Sequence, residues 1–311
     1  MKAVSVLIDE TRHAGVVEGD SVSIDGRPGG LDAILAGDGK IRPCTTIALA
    51  DVTIDAPLRP PVVFCVGQNY ADHLAEKEKI YRPEPEFFLK AGQTIAAPDE
   101  PAVLDPLVTS KLDYETELGI VIGRAGRAIP EDRAFDHVYG YVALNDLTAR
   151  DRQVVLHPDG SRSMALGPGK NFDGATRMGR QVVTADEIGD PEDLLLVTTV
   201  DGEVRQRNTT RHLISSIPEI ISFVSRMLTL QPGSVISTGT PGGTGWGADP
   251  ELGGTGRTPD GLAVPGYLRP GQLVEGRIGE LLSYSFRVTA PRPKTLLGTC
   301  ARLNSGECGS P

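Results

Sequence analysis

Residues 112–123 read LDYETELGIVIG. In an extended strand, residues two apart share a face. Asp113, Glu115 and Glu117 therefore fall on one side of this segment, and Tyr114, Leu118 and Ile120 on the other. The LGIVIG half is too apolar for a solvated edge, so the strand belongs inside a sheet. Working outward, HVYGYVALND (137–146) is a second long strand, and VVFCVG (62–67), EFFLK (86–90) and PGSVISTG (232–239) are shorter ones. PEDLLLVTTVDGEVRQ (191–206) reads as a hairpin turning at Asp201-Gly202. ADHLAEKEKI (71–80) predicts a short helix with a polar face, and SSIPEIISFVSRMLTL (215–230), with apolar residues at helical spacing, the best helix of the chain. No β–α–β alternation runs through these elements, which excludes Rossmann and TIM-barrel architectures. The 37 glycines and 24 prolines also favour turns and short strands. The fold class is mostly β, a β-rich α+β protein.

Residues 1–56 read as a small β-rich N-terminal domain, with short strands near 4–8, 22–24 and 46–49 separated by DGRPGG and GDGK turns. APLRPP (56–61) can continue neither a helix nor a central strand, so the main domain is expected to span 57–293. Residues 294–311 are small and polar, and are expected to form a poorly ordered tail. Two long Gly-rich stretches, 157–179 and 245–271, are expected to be loops that serve a site.

A formal net charge of −10 argues against nucleic-acid or anionic-membrane partners. The N-terminus enters a strand pattern at once, without a signal-peptide core, and no apolar run approaches membrane-spanning length. Cysteines 44, 65, 300 and 308 form neither a CxxC nor an even framework, and Cys65 reads as a buried thiol. These features predict a soluble, cytoplasmic protein.

ALNDLTARD delivers Asp146 at the tip of an apolar run. Two glutamates and an aspartate without His or Cys make a hard-oxygen set that suits Mg²⁺ or Mn²⁺ better than Zn²⁺. Like carboxylates about 7 Å apart repel by roughly 2 kcal/mol at an effective dielectric near 20, and a cation would remove that penalty. A charged, solvated strand face balanced by Lys111 and Arg150 fits the same spacing. His73 and Glu76 sit three apart in NYADHLAE, as an acid/base pair would, or as part of a solvated helix beside Lys77 and Lys79. His13, His137, His157 and His212 lack such neighbours. Lys170 in GPGKNFDG lacks the spacing of a P-loop, which excludes nucleotide binding there. STGTPGGTG (237–245) either presents backbone N–H groups to an anion or is simply a tight glycine turn.

Five ordered blocks, NYADHLAE, YETELGIVIG, NDLTARDRQ, GKNFDG and ISTGTPGGTG, together resemble the catalytic domain of the fumarylacetoacetate hydrolase family over about residues 62–288. The resemblance implies a mixed β-roll, a small N-terminal domain and a homodimer. It implies that Glu115, Glu117 and Asp146 bind Mg²⁺ or Mn²⁺, and that His73 with Glu76 activates water. Lys170 and Gln153 would hold the substrate oxyanion, Thr240 and Tyr70 would contact substrate, and Arg150 would brace the site. The chain departs from the family pattern at GATRMGR (174–180), where prolines and an aromatic give way to Arg177, and in a longer Gly-Trp segment after Pro241. Arg177 is therefore expected to read a polar or anionic group at the distal end of the substrate.

The implied reaction stabilises an enolate of a 2-oxo acid or 1,3-diketone. With water activated by His73 the outcome is C–C hydrolysis, as for an acylpyruvate, and the dyad favours that reading. Without it, the same enolate supports decarboxylation, oxaloacetate included, or keto–enol isomerisation of a 2-hydroxymuconate-type diacid. A catalytically silent binding relative is the reading from another class, and metal-dependent enolisation of oxaloacetate separates it from the others.

Overall fold

The computed structural model describes residues 1–77 and 84–291. The expected tail, Cys300, Cys308 and the far end of the 71–80 helix lie outside the described residues. The N-terminal segment forms strands β1 (Lys2–Ile8), β2 (Thr11–Glu18), β3 (Ser21–Pro28), β4 (Pro43–Ala48) and β5 (Thr53–Asp55), with helix α1 (Gly30–Ala36) between β3 and β4. Sequence reading found three of these strands and missed β2, β5 and α1. Then come β6 (Val62–Gly67), helix α2 (Ala71–Ala75) and β7 (Glu86–Ala91). The central pair is β8 (Thr116–Ile122) and β9 (Val138–Asp146), followed by helix α3 (Leu166–Lys170), β10 (Thr176–Met178) and β11 (Val182–Thr184). The expected hairpin is β12 (Leu195–Val200) and β13 (Glu203–Thr209), turning through Asp201 and Gly202, both at positive φ. Helix α4 (Ile217–Met227), β14 (Val235–Ser237), β15 (Leu273–Ile278) and β16 (Leu282–Thr289) complete the chain.

The large sheet runs β4-β3-β2-β1-β11-β9-β8-β14-β6-β7, with β10 also on β9 and β5 on β1. Antiparallel β1–β11 pairing joins the N-terminal strands directly to the central ones. A second sheet runs β13-β12-β15-β16 and ends on the short strand Ala102–Val103.

Every residue of β8 is buried, because both faces of the large sheet are covered there. Leu118, Ile120 and Ile122 face a core shared with the second sheet (Leu196, Val274, Phe286) and with α4. Val121, with Val142 and Leu144 of β9, faces the other core, where α1 contributes Leu31, Ile34 and Leu35. The period-two reading of LGIVIG is thus satisfied by apolar partners on both sides.

Helix α4 is the one long regular helix among the described residues. Ser216 Oγ accepts the Glu219 N–H at 3.3 Å, and the Glu219 carboxylate accepts the Ser216 N–H at 2.7 Å, a reciprocal capping box with Pro218 in the first turn. Ser216→Ala should lower stability by about 1 kcal/mol in urea denaturation. An unchanged midpoint would mean that burial of Ile217, Ile220, Ile221 and Phe223 alone holds the helix.

Candidate functional site

Antiparallel pairing of β8 with β9 sets Thr116 opposite Asn145 and Glu117 opposite Leu144. The Asp146 N–H donates to the Glu115 carbonyl at 2.9 Å, which brings the end of β9 beside the start of β8. Carboxylate oxygens of Glu115, Glu117 and Asp146 consequently lie within 4.8 Å of one another, and all three residues are buried. Asp113, expected on the same face, does not join them. Leu112–Asp113 pairs with Thr148–Ala149 in a separate ladder, so the strand is interrupted before Thr116 and its alternation does not carry through.

Buried cations surround these acids. Lys170 Nζ donates to Glu115 at 2.6 Å, to Asp146 at 2.7 Å and to Thr148 Oγ1 at 2.7 Å. Lys90 donates to the other oxygen of Asp146, and to the Ala175 carbonyl at 2.8 Å. Arg150 forks three ways: Nε to Asp113 at 2.7 Å, Nη1 to Gln153 Oε1 at 2.8 Å, and Nη2 to Glu115. Burial pushes the Glu115 carboxyl up, but Lys170 and Arg150 outweigh it and hold the group well below the ordinary glutamate range. The same attractions outweigh burial at Lys170 and Arg150 and raise both. Glu117 goes the other way: burial first, then repulsion from Asp146 and Glu115, raises it to about 8. It accepts hydrogen bonds from Ser237 Oγ and, at 3.0 Å, from the Gly239 N–H.

The glycine-rich loop after β14 turns its N–H groups onto protein carboxylates. Besides Gly239 on Glu117, Gly243 and Thr244 donate to Glu76 at 2.6 and 3.2 Å, and Gly245 and Trp246 to Asp113 at 2.7 and 3.0 Å. Gly243 has φ of 102°, and a Cβ there would run into the Arg205 carbonyl, so only glycine lets the loop pass.

Helix α2 carries the buried His73, and Glu76 follows at its C-terminal end. Glu76 Oε2 lies 2.9 Å from His73 Nδ1 and accepts the Thr244 hydroxyl at 3.0 Å. Burial pushes the Glu76 carboxyl up, but the hydrogen bond from His73 and the Gly243 N–H outweigh it and keep it low. Burial and Lys77 lower the His73 pKa, with Glu76 opposing them, which favours the neutral imidazole. His73, Lys77, the three acids, Arg150, Gln153, Lys170, Thr240 and Trp246 open on one pocket of about 40 Å³, room for an ion with water.

Two expected substrate residues do not line the pocket. Tyr70 is fully buried off the pocket wall, paired through its backbone with Leu213. Arg177 stands opposite Asn145 in the β9–β10 register, whereas Thr176 stands opposite Asp146. Partners across a ladder share a face, so Arg177 points away from the acids. Its guanidinium donates to the Glu100 carbonyl and lies 5.1 Å from the Phe286 ring, and burial lowers it to about 10. The structure thus corrects the expectation for Arg177: it is a packing residue behind the site. Sequence reading missed Lys90, Thr148 and Ser237, and it noted the Gly-Trp segment without giving Trp246 a role. Only the position of Lys90 at the end of an apolar strand, EFFLK, hinted at a buried charge.

Residues 62–289 match the family model for the C-terminal domain of fumarylacetoacetate hydrolase. An oxaloacetate tautomerase of Bacillus subtilis is 39% identical over 207 residues, which are 65% of this chain and 66% of that protein, just under two thirds of its length. Among solved structures, a fumarylacetoacetate hydrolase from the psychrophile Exiguobacterium antarcticum superposes with a TM-score of 0.76 at 32% identity, covering 94% of this chain and 100% of that one. A 5-carboxymethyl-2-hydroxymuconate delta-isomerase from Mycobacterium smegmatis gives 0.70 at 28% identity, with 94% and 100% covered. The chain belongs to the fumarylacetoacetate hydrolase family.

Three buried oxygen donors, one of them raised by burial and then by its acidic neighbours, fit a hard divalent ion. Such an ion would take the place of the Glu117 proton. Since Glu117 titrates near 8 without an ion, Mg²⁺ affinity should rise as pH increases from 6 towards 8. Calorimetry in buffers of different ionisation enthalpy should find close to one proton released per ion bound near pH 7, and none in Glu117→Gln. An affinity independent of pH would remove Glu117 from the ligand set.

Proposed function

We propose that this chain is a Mg²⁺- or Mn²⁺-dependent enzyme that moves a proton at the carbon beside the keto group of a small 2-oxo acid, interconverting keto and enol forms. The observation that supports this reading is the buried His73–Glu76 dyad opening on the same pocket as Glu115, Glu117 and Asp146. In the tautomer that this network favours, His73 Nδ1–H donates to Glu76, which leaves the Nε2 lone pair to take the substrate proton. A neutral imidazole is the form a base needs, and burial keeps it so. Glu76 in turn is anchored by Gly243 and Thr244, so the ring is aimed before substrate arrives. The Gln153 amide, whose oxygen accepts from Arg150, offers its N–H donors to the oxygen on which enolate charge develops, and Lys170 adds positive charge nearby. A divalent ion on the three carboxylates would supply Lewis acidity to the same oxygen.

Keto–enol transfer comes first because the 39%-identical relative is an oxaloacetate tautomerase. C–C hydrolysis of an acylpyruvate is the second reading. It is favoured by the same dyad, which could take its proton from water, and by the likeness to a hydrolase at 32% identity. The family resemblance further supports a homodimer, which light scattering would report as about twice the 33.0 kDa chain.

Oxaloacetate enol decay, followed by absorbance with Mg²⁺ or Mn²⁺, tests the proposal beside an acylpyruvate cleavage assay. His73→Ala should lose about 10²–10⁴-fold in rate, as for removal of a general base, and Glu76→Gln should lose less. Both should bind Mg²⁺ as the parent does, since neither residue is placed as a ligand. The pH profile of kcat/KM should fall on its acid side below the ordinary histidine value of about 6.5, because His73 is lowered. Parental tautomerisation by His73→Ala would sink the assignment, and acylpyruvate cleavage without oxaloacetate tautomerisation would promote the second reading.

A further inference from the structure

The residue after Glu76 lies one helical turn beyond His73 and returns to its ring. Lys77 Nζ sits 2.5 Å from His73 Nε2, the nitrogen facing the pocket. It also lies 4.1 Å from the centroid of the Trp246 ring, whose face Arg150 meets from 5.0 Å. Trp246 is buried, and its indole N–H donates to the Leu252 carbonyl at 2.9 Å, which fixes the plane of the ring. The aromatic face can therefore carry an ammonium along the pocket wall. Lys77 itself is half-buried, at the rim, whereas Arg150 and Lys170 lie deep with their donors on protein carboxylates.

A lone pair that accepts from an ammonium cannot also accept a proton from carbon. Lys77 must leave Nε2 before His73 can act, and what draws an ammonium away is an anion. A pocket of about 40 Å³ must also widen for any organic acid, and a flexible lysine at its rim is a side chain able to give way. We propose that Lys77 is a specificity-determining residue: it engages a second, distal carboxylate of the substrate and in doing so uncovers His73 Nε2. Dicarboxylate 2-oxo acids thereby switch on the base that monocarboxylates leave covered. The inference rests on the assignment of His73 as base, but its carboxylate selection can be measured without turnover.

The chain has one tryptophan, so its emission reports on this wall. The Mg²⁺-loaded protein would be titrated with L-malate and with 2-hydroxybutyrate, which share a 2-hydroxy acid head. They differ in that a methyl replaces the distal carboxylate, and neither can enolise. Malate should bind at least ~10-fold more tightly, as one charge-assisted hydrogen bond provides. Lys77→Met should bring the two within about 2-fold, and Lys77→Arg should keep most of the preference. With oxaloacetate, Lys77→Met should raise KM far more than it lowers kcat. An unchanged malate preference in a folded Lys77→Met protein overturns the proposal, as does a parent with no preference. Selection of malate by a parent that never enolises oxaloacetate supports Lys77 as the carboxylate selector and overturns the base assignment alone. His73-dependent turnover without that selection does the reverse.

Discussion

Five acidic side chains, Glu76, Asp113, Glu115, Glu117 and Asp146, are buried around one pocket, and the structure about them is arranged to compensate their charge. Each unpaired carboxylate would cost several kcal/mol to remove from water, and their mutual repulsion adds to that. Three kinds of compensation are visible. Lys90, Lys170 and Arg150 neutralise Asp113, Glu115 and Asp146 by direct contact. Backbone N–H groups serve Glu76 and Asp113. Glu117 has only a hydroxyl and one N–H, and meets the deficit by keeping its proton up to about pH 8. Of the two acids left without a cation, Glu76 is met by backbone N–H groups and His73, so Glu117 is the one whose proton a bound dication would replace.

Compensation of this kind works only if the groups cannot relax apart, and the sheets supply that rigidity. Behind the acids, Thr116, Asn145 and Thr198 converge with the Tyr284 hydroxyl and with Gln206 in a buried polar knot that ties β8 and β9 to the second sheet. Gln206 is used at both ends: its oxygen accepts from Thr116 N–H at 3.1 Å, and its amide donates to Thr240 Oγ1 at 2.9 Å and to the Pro241 carbonyl at 2.8 Å. A satisfied network of this sort holds its members in one geometry. It fixes the backbone on which Glu115 and Glu117 stand and the loop that faces them.

The legible part of this arrangement was whatever a period or a short spacing encodes. Alternation gave both faces of β8, and the i,i+3 spacing paired His73 with Glu76. Asp113 escaped because alternation assumes one unbroken strand, and the chain changes ladder between Asp113 and Thr116. Arg177 was misplaced because its face depends on which residue of β9 it meets. A shift of one residue would have put it beside Asp146, and register between segments so far apart is not written in either one. Lys90 and Trp246 were opaque for a related reason. A lysine closing an apolar strand, or a tryptophan in a Gly-rich loop, acquires its role only from what the fold brings opposite it.

Residues 237–246 hold three of the buried acids through their backbone or hydroxyls. Ser237 and Gly239 hold Glu117, Gly243 and Thr244 hold Glu76, and Gly245 and Trp246 hold Asp113, which orients Arg150. One of the acids proposed as metal ligands, Glu117, and the dyad proposed as base thus hang from a single short span of chain, backed by Gln206. Proton transfer between a carbon acid and an imidazole is sensitive to misplacements on the order of 1 Å. Suspending Glu117 and Glu76 from one loop makes their separation a property of local backbone geometry, where glycines at positive φ leave few alternatives. This accounts for a stretch that reads as an anion-binding turn yet spends its N–H groups on the protein's own carboxylates. Its work, on the proposed assignment, is to fix the distance between Glu117 and the His73–Glu76 dyad.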